Sequence, residues 1–457
     1  MKHLLSVALI ALLSSSARSQ TFTDLQWNLR GLSNGDVAFA DYDNDGDEDF
    51  AMCGFGSTVA EWAAIFRIDN GVPVIVDSTI VHVSSGTMNW GDADHDGDLD
   101  LLVNGQTNGA AEAMLYRNDG NSVFTPVSTT GLPPTIGCMR FIDYDRDSLP
   151  DVILSGMVMP NFHDTTMLFH NDGNLVFTSR PIPNAPSFFE ADICVGDYDQ
   201  DSLPDFFLTG RGGPVQNGFC AIYHNDGGGN FSVNNSTLRQ LFTGAARFGD
   251  YDHDGDIDLL YDGIDSTNAA FTLIYENNAN VFTELADSLP GSGEPGDVDW
   301  ADVDNDGDYD ILISGTYLMI NNGNHTYTDI SPWTFIYGLP VSFTDFDHDG
   351  DQDIFLLNFT GGAASTMYRN ELISGINTTE IKSPPTLFPN PATTTITLSD
   401  FSSENKFAEI IDRNGKLLRT EKISPAGKVQ VSALPAGQYF IRFKKSGEVV
   451  ALPFQKY

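Results

Sequence analysis

Twenty-eight aspartates stand in seven groups of one spacing, D-x-D-x-D-x-x-x-D. They are Asp41, Asp43, Asp45 and Asp49; Asp92, Asp94, Asp96 and Asp100; Asp143, Asp145, Asp147 and Asp151; Asp197, Asp199, Asp201 and Asp205; Asp250, Asp252, Asp254 and Asp258; Asp302, Asp304, Asp306 and Asp310; and Asp345, Asp347, Asp349 and Asp353. Side chains at positions 1, 3 and 5 of a tight turn converge on one point, and the position-9 carboxylate can close the cage. Glycine at position 6 permits the bend, and the position-7 carbonyl offers one more oxygen. A set of about six to eight hard oxygen ligands suits Ca²⁺, whereas Zn²⁺ draws His or Cys. The expected cofactor is structural Ca²⁺, up to seven ions. An EF-hand would place a bidentate Glu at position 12. Here that position is Met52, Val103, Leu154, Leu208, Tyr261, Ile313 or Leu356, so the loop is of another kind. Two groups depart from the pattern, with Ser148 and Ser202 in place of Gly and a proline following, yet both keep their four aspartates.

The elements that must hold these loops follow from what flanks them. First aspartates recur 51, 51, 54, 53, 52 and 43 residues apart, a period that marks a repeat architecture. Two residues ahead of each stands Phe39, Trp90, Phe141, Val195, Phe248, Trp300 or Phe343, expected to pack between neighbouring sheets. Short apolar runs follow each loop, such as Leu101-Leu102-Val103 and Ile311-Leu312-Ile313, and read as strands. A third strand ends in a turn, as in Leu115-Tyr116-Arg117-Asn118-Asp119-Gly120, Leu168-Phe169-His170-Asn171-Asp172-Gly173 and Ile222-Tyr223-His224-Asn225-Asp226-Gly227. A fourth opens on an aromatic and Thr, as in Phe124-Thr125 and Phe177-Thr178. Four antiparallel strands in each of seven repeats predict an all-β, seven-bladed β-propeller. The last repeat stops at Asn370 without a fourth strand, while Phe22-Thr23-Asp24-Leu25 stands as an orphan fourth strand before the first loop. The two are expected to pair and close the ring, which removes exposed sheet edges; an open solenoid is the alternative.

Residues 1–19 read as a secretory signal peptide, with an apolar stretch from Leu4 to Leu13 and a small-residue cleavage region at Ala17-Arg18-Ser19. No other run is long and apolar enough to cross a bilayer. The formal net charge of −40 is concentrated in the loops, which hold 34 of the 63 acidic residues. Such a balance argues against nucleic acid or an anionic membrane as partner. Cys53, Cys138, Cys194 and Cys220 lie in strand-like apolar runs without metal-ligand spacing, and buried free thiols are expected, a disulfide being the alternative.

The D-x-D-x-D-G-x-x-D loop between apolar strands resembles the FG-GAP/VCBS-type repeat of integrin-α-like propellers. That resemblance covers residues 20–373 and implies a Ca²⁺ held in each first-to-second-strand loop, on one face. A polar, proline-containing linker at 374–386 leads to a tail of opposite charge, 387–457, with alternating strands expected to form a small β-sandwich. Phe388-Pro389-Asn390-Pro391-Ala392, Ile411-Asp412-Arg413-Asn414-Gly415-Lys416 and Leu434-Pro435-Ala436-Gly437-Gln438-Tyr439 resemble the C-terminal sorting domain of the type IX (Por) secretion system of Bacteroidetes-like bacteria. It implies the type IX machinery as a partner, and passage through periplasm and outer membrane to the cell surface or beyond.

For function the expectation is a non-catalytic binding or adhesion module for a glycan or protein ligand. Its ligand face would be the one opposite the metal loops, with Trp62, Met159, Phe162, His163, Phe188, Phe189 and Arg211 as candidate contacts. An extracellular polysaccharide lyase or hydrolase is the alternative, and a structural surface-layer component a third. No catalytic residue is named. The aspartates are assigned to the metal loops, and His95, His253 and His348 occupy loop position 4, where side chains should face solvent.

Overall fold

The computed structural model describes residues 21–371, apart from short segments at 57–60, 129, 162, 184, 189, 213–214, 235, 286–288, 293–295, 315–316, 324, 334–339 and 359–363, and most of 387–456. The signal-peptide and linker assignments, Phe162 and Phe189 lie outside the described residues, as do Pro389–Ala392 and Arg413–Gly415. The chain divides into two compact units between Gly375 and Ile376. No helix in the described residues is long and apolar enough to cross a membrane.

The first unit is all strand, grouped into seven four-stranded antiparallel sets among the described residues. Blade 1 comprises Leu32–Ala40, Asp49–Gly56, Glu61–Asp69 and Val72–Asp77, and blade 2 Met88–Gly91, Asp100–Thr107, Ala110–Asn118 and Phe124–Val127. Blade 3 comprises Thr135–Ile142, Asp151–Val158, His163–Asn171 and Phe177–Pro181, and blade 4 Glu190–Gly196, Asp205–Gly212, Val215–Gly227 and Asn230–Val233. Blade 5 is built from Ala246–Gly249, Asp258–Ile264, Ala270–Asn278 and Val281–Glu284, and blade 6 from Val298–Ala301, Asp310–Ile313, Tyr317–Asn321 and Tyr327–Asp329. Blade 7 takes three strands from the end of the unit, Val341–Thr344, Asp353–Leu356 and Thr366–Asn370, and its fourth from the beginning, Phe22–Asp24. First strands neighbour one another in cyclic order from blade 1 to blade 7 and back, which makes the unit a closed β-propeller with these strands innermost.

Closure is by backbone pairing. Phe22, Thr23 and Asp24 register against Asn370, Arg369 and Tyr368. Leu25 N donates to Met367 O at 3.0 Å, and Glu371 N to Thr21 O at 3.0 Å. The aromatic residues ahead of the loops pack between blades as the pattern predicts. A Cβ on Gly91 would stand 2.6 Å from Phe141, one on Gly196 2.9 Å from Phe248, and one on Gly249 2.6 Å from Trp300. Each of these inner strands therefore ends on a bare backbone that the next blade's ring covers. The four cysteines are free; Cys53, Cys138 and Cys220 are buried and Cys194 partly so.

In the second unit Leu387–Phe388, Thr395–Leu398 and Lys428–Gln430 form one sheet, and Leu417–Lys422, Phe407–Asp412, Gly437–Lys445 and Glu448–Lys456 another. Both sheets contribute to a single core that includes Ile396, Val429, Ile410, Ile441 and Phe454, a small sandwich of the expected kind.

Candidate metal centres and the axial cavity

Each nine-residue loop joins the inner strand of a blade to its second strand, and the loops repeat one set of contacts. The position-1 carboxylate accepts the peptide N–H groups of positions 5 and 6: Asp45 N and Gly46 N reach Asp41 at 3.0 and 3.2 Å, and Asp306 N and Gly307 N reach Asp302 at 2.9 and 3.0 Å. The position-5 carboxylate accepts the position-7 N–H, as from Asp98 N to Asp96 at 3.0 Å. Position 6 takes a positive φ throughout: Gly46 at 99°, Gly307 at 100°, but also Ser148 at 73° and Ser202 at 76°. The two serines bear a left-handed conformation that glycine would adopt without cost.

Position 9 is the anchor. Asp49, Asp100, Asp151, Asp205, Asp310 and Asp353 have no exposed surface and Asp258 almost none. One oxygen of each accepts a peptide N–H from the third strand, from Ile68, Asn118, Asn171, Asn225, Asn277, Asn321 and Asn370 at 2.7–2.8 Å. In blades 2 to 6 the other accepts the position-2 N–H, as from Val303 to Asp310 at 2.8 Å. Burial pushes these carboxyls up, to about 8 in Asp49, Asp310 and Asp353 and about 7 in the other four, and neighbouring loop carboxylates push the same way.

The oxygens left over point to what the loops are built for. Oδ1 of the position-3 residues Asp43, Asp94, Asp145, Asp304 and Asp347 is buried without a hydrogen-bond partner, as are Asp49 Oδ2 and Asp353 Oδ2. Donor atoms of Asp41, Asp43 and Asp49, of Asp92, Asp94 and Asp96, and of Asp143, Asp145 and Asp147 lie within 4.8 Å of one another in each set. Buried, unpaired, converging carboxylate oxygens are costly unless a cation joins them, so these residues fit a hard divalent ion.

An asparagine that the turn chemistry of the sequence conceals ties most of the loops to a neighbour. Asn171 Nδ2 donates to Pro150 O in its own loop at 3.0 Å and to Ala93 O in the loop of blade 2 at 2.8 Å. Asn118, Asn225, Asn277 and Asn370 make the same pair of bonds, reaching Tyr42 O, Tyr144 O, Tyr198 O and Val303 O of the preceding blade. Asn321 reaches the Tyr251 hydroxyl instead, and blade 1 has Ile68 at this place. The signal was present as the asparagine ending most third strands.

The other end of the propeller carries a cavity of about 540 Å³ at the starts of the inner strands. Its charged lining is Asp36, Arg140, Glu190, Asp192, Arg247 and Asp297. These aspartates are outside the metal loops, and each satisfies a free edge N–H of the next blade's inner strand: Asp36 Oδ2 accepts Met88 N at 2.9 Å, Asp192 Oδ2 accepts Ala246 N at 3.2 Å, and Asp297 Oδ2 accepts Val341 N at 3.0 Å. Thr87 and Asn89 do the same for Met139 and Phe141. Arg247 donates to Asp297 at 3.0 Å. Arg140 stands looser, 3.8 Å from Asp36 and 3.6 Å from Asp192. Burial outweighs Arg247 and lifts Asp297 to about 7.

The aromatic ligand face expected from the sequence is corrected by this geometry. Trp62 is buried in the blade 1 core beneath the Arg30 guanidinium, 4.8 Å from its ring, and Phe188 is buried against Phe219. Neither offers a free ring, because both fill space between sheets. Met159 is partly buried, while His163 and Arg211 are exposed; Arg211 lies over Phe242 at 5.5 Å and 3.9 Å from Glu190. None of these five lines the axial cavity, whose walls mix charged side chains with apolar ones such as Ile136 and Met157.

Comparison with known proteins agrees with the repeat and the tail. Residues 92–154 and 197–261 match the FG-GAP-like repeat, and residues 386–452 match the secretion system C-terminal sorting domain. The β-propeller thus contains FG-GAP-like repeats, and the chain carries a type IX sorting domain that directs it to the cell surface or the extracellular space. No curated protein matches it. Among solved structures it is similar to AofleA from Arthrobotrys oligospora, at 9% identity and TM-score 0.40 over 69% of this chain and 91% of that one. It is also similar to a chain of a RAG complex with one melted and one unmelted RSS, at 13% identity and TM-score 0.36 over 68% and 98%. A GH43_1 enzyme from Xanthomonas citri complexed with xylose follows at 10% identity and TM-score 0.31 over 69% and 98%. Likeness at these scores carries no functional argument.

Proposed function

We propose that the protein is a calcium-stabilised, non-catalytic binding module that takes the hydroxyl groups of a neutral glycan into the axial cavity. The observation that supports this reading is the state of Arg140. Its guanidinium donates to Met139 O at a long 3.4 Å and stands beyond hydrogen-bond range of both flanking carboxylates. Donors are therefore held ready beside carboxylates already fixed by a neighbouring blade's backbone. Adjacent donor and acceptor groups suit vicinal hydroxyls, and a cavity of about 540 Å³ has the size of a small-ligand site. The excess of aspartate over arginine in its walls disfavours an anionic ligand. Calcium has a structural part, linking inner and second strands at the opposite end.

The test is a screen of neutral oligosaccharides on the full chain in millimolar Ca²⁺. The Met157→Trp variant, which adds bulk to the cavity lining, is run alongside. Binding by the parent and at least tenfold weaker binding by the variant are expected. Equal binding would move the site off the axis, and no binding would remove the glycan reading. A glycoside hydrolase is the second reading, favoured by Asp297, a buried axial carboxyl raised to about 7 as a general acid would be. New reducing ends in the same incubations would establish it.

A further inference from the structure

Blades 3 and 4 depart from the other five together, and in three linked ways. Position 6 is Ser148 or Ser202, position 7 is Leu149 or Leu203 where the others have Asp, and the third-strand residue beside the loop is His170 or His224. In blades 1, 2 and 7 that last place is Arg67, Arg117 or Arg369, which turns outward and pairs with the acidic residue two further on. The two histidines keep Nε2 near that acid, 3.8 Å from Asp172 and 3.6 Å from Asp226, but turn Nδ1 inward. His170 Nδ1 lies 3.1 Å from Asp151 Oδ1 and 3.5 Å from Asp145 Oδ2; His224 Nδ1 lies 3.3 Å from Asp199 Oδ2 and 3.4 Å from Asp205 Oδ1. Each ring is met at its edge or face by the position-2 tyrosine, Tyr144 at 6.0 Å and Tyr198 at 6.2 Å. His224 Nδ1 is buried without a hydrogen-bond partner, and Asp145 Oδ1 and Asp197 Oδ1 are orphaned in the same loops.

With its proton on Nε2, each imidazole turns an Nδ1 lone pair towards two carboxylate oxygens, three acceptors that a cation would join; with the proton on Nδ1 the ring donates instead, as His170 can to Asp151 at 3.1 Å. The imidazole-to-carboxylate separations of 3.1–3.5 Å match the edge of a tetrahedron whose ligands stand about 2 Å from the centre, which is about 3.3 Å, the scale of Zn–N and Zn–O bonds. Exchanging one carboxylate for an imidazole also shifts the donor set from hard towards borderline. We propose that the blade 3 and blade 4 sites are selective for a transition-metal ion of the Zn²⁺ type, held by Asp145, Asp151 and His170 and by Asp199, Asp205 and His224. This rests on reading the nine-residue loops as metal sites. The consequence is one ring carrying two metal chemistries, with its imidazole sites adjacent.

The experiment loads the full chain with Zn²⁺ in excess Ca²⁺, removes free metal by gel filtration and counts both by elemental analysis. Two equivalents of zinc should remain, one at His170 and one at His224. His170→Ala and His224→Ala should each lose one, their combination both, and His95→Ala none. Zinc retained by the double variant, or displaced from the parent by calcium, overturns the proposal while leaving the calcium reading intact. No retained zinc overturns the proposal, whereas the calcium reading is overturned separately, by no calcium binding in calorimetry at millimolar Ca²⁺. Should a variant fail to fold, Co²⁺ in the parent protein replaces it as the probe. Visible bands of nitrogen-ligated Co²⁺, with shifted imidazole N–H resonances from two histidines, are expected, and a spectrum of all-oxygen Co²⁺ would sink the idea.

Discussion

Aspartate serves two different ends in this protein, and Asp262 shows the second most sharply. It is fully buried in the second strand of blade 5, four residues beyond the loop's Asp258. Thr272 Oγ1 stands 2.8 Å from Asp262 Oδ2 and 2.8 Å from Pro290 O. A hydroxyl has one proton, and the proline carbonyl can only accept. If Thr272 donates to Pro290, Asp262 must be protonated to donate in turn, while Ser292 supplies a donor to the other oxygen. Burial raises the Asp262 carboxyl to about 7, in keeping with a neutral acid. The folded-state value lies above the unfolded one, so its contribution to stability is complete below about pH 4 and is lost as pH rises through about 7. Asp262→Asn supplies the N–H donor permanently. The variant should match the parent near pH 4 and exceed it at pH 8 by about 2 kcal/mol, half the full linkage of about three pKa units. Denaturant melts at the two pH values measure this, and a variant less stable at pH 8 would show that Asp262 is ionised in the fold.

Between blades, the asparagine that ends a third strand joins consecutive repeats. Asn225 donates to Tyr144 O at 2.8 Å and Pro204 O at 3.1 Å, and both carbonyls would be left unpaired by Asn225→Ala. A loss of about 2–4 kcal/mol is expected by urea unfolding, from two buried acceptors at about 1–3 kcal/mol each with partial relief by water. The change should exceed that of Asn230→Ala, whose amide bond to Gly227 O at 3.1 Å is exposed. Equal losses would reduce the asparagine to a turn former. These contacts also mark the limit of reading the chain directly. Loops, strand order and the closing strand were visible because each is written within a short stretch, in carboxylate spacing, apolar alternation and turn composition. Asn225 and Tyr144 are 81 residues apart, and nothing local couples them. The axial aspartates were hidden likewise, because the N–H groups they serve belong to the next blade. Trp62 and Phe188 misled for the complementary reason, since a large ring beside a turn reads as exposed until the neighbouring sheet covers it.

A ring of repeats in which each blade touches only its neighbours has one weak joint and one distributed brace. The joint is the pairing of Phe22–Asp24 with Thr366–Asn370, a three-residue register that alone completes blade 7. The brace we propose is the set of loop cations. Extracellular calcium sites of about 10⁻⁴ to 10⁻³ M would each add about 1.4 to 2.7 kcal/mol at about 10 mM Ca²⁺. These two devices should fail differently. EDTA should lower the melting temperature reversibly and leave the protein monomeric by gel filtration, because the blades stay paired while loop repulsion returns. Removing residues 1–25 should expose the edge of Thr366–Asn370 and the interior of blade 7, giving a broader melt and self-association that calcium does not reverse. An EDTA-treated protein that melts with the loaded one would mean the loops bear no stabilising ion. A truncated chain that stays monomeric with a sharp melt would mean that the packing of inner strands around the axis closes the ring without its fourth strand.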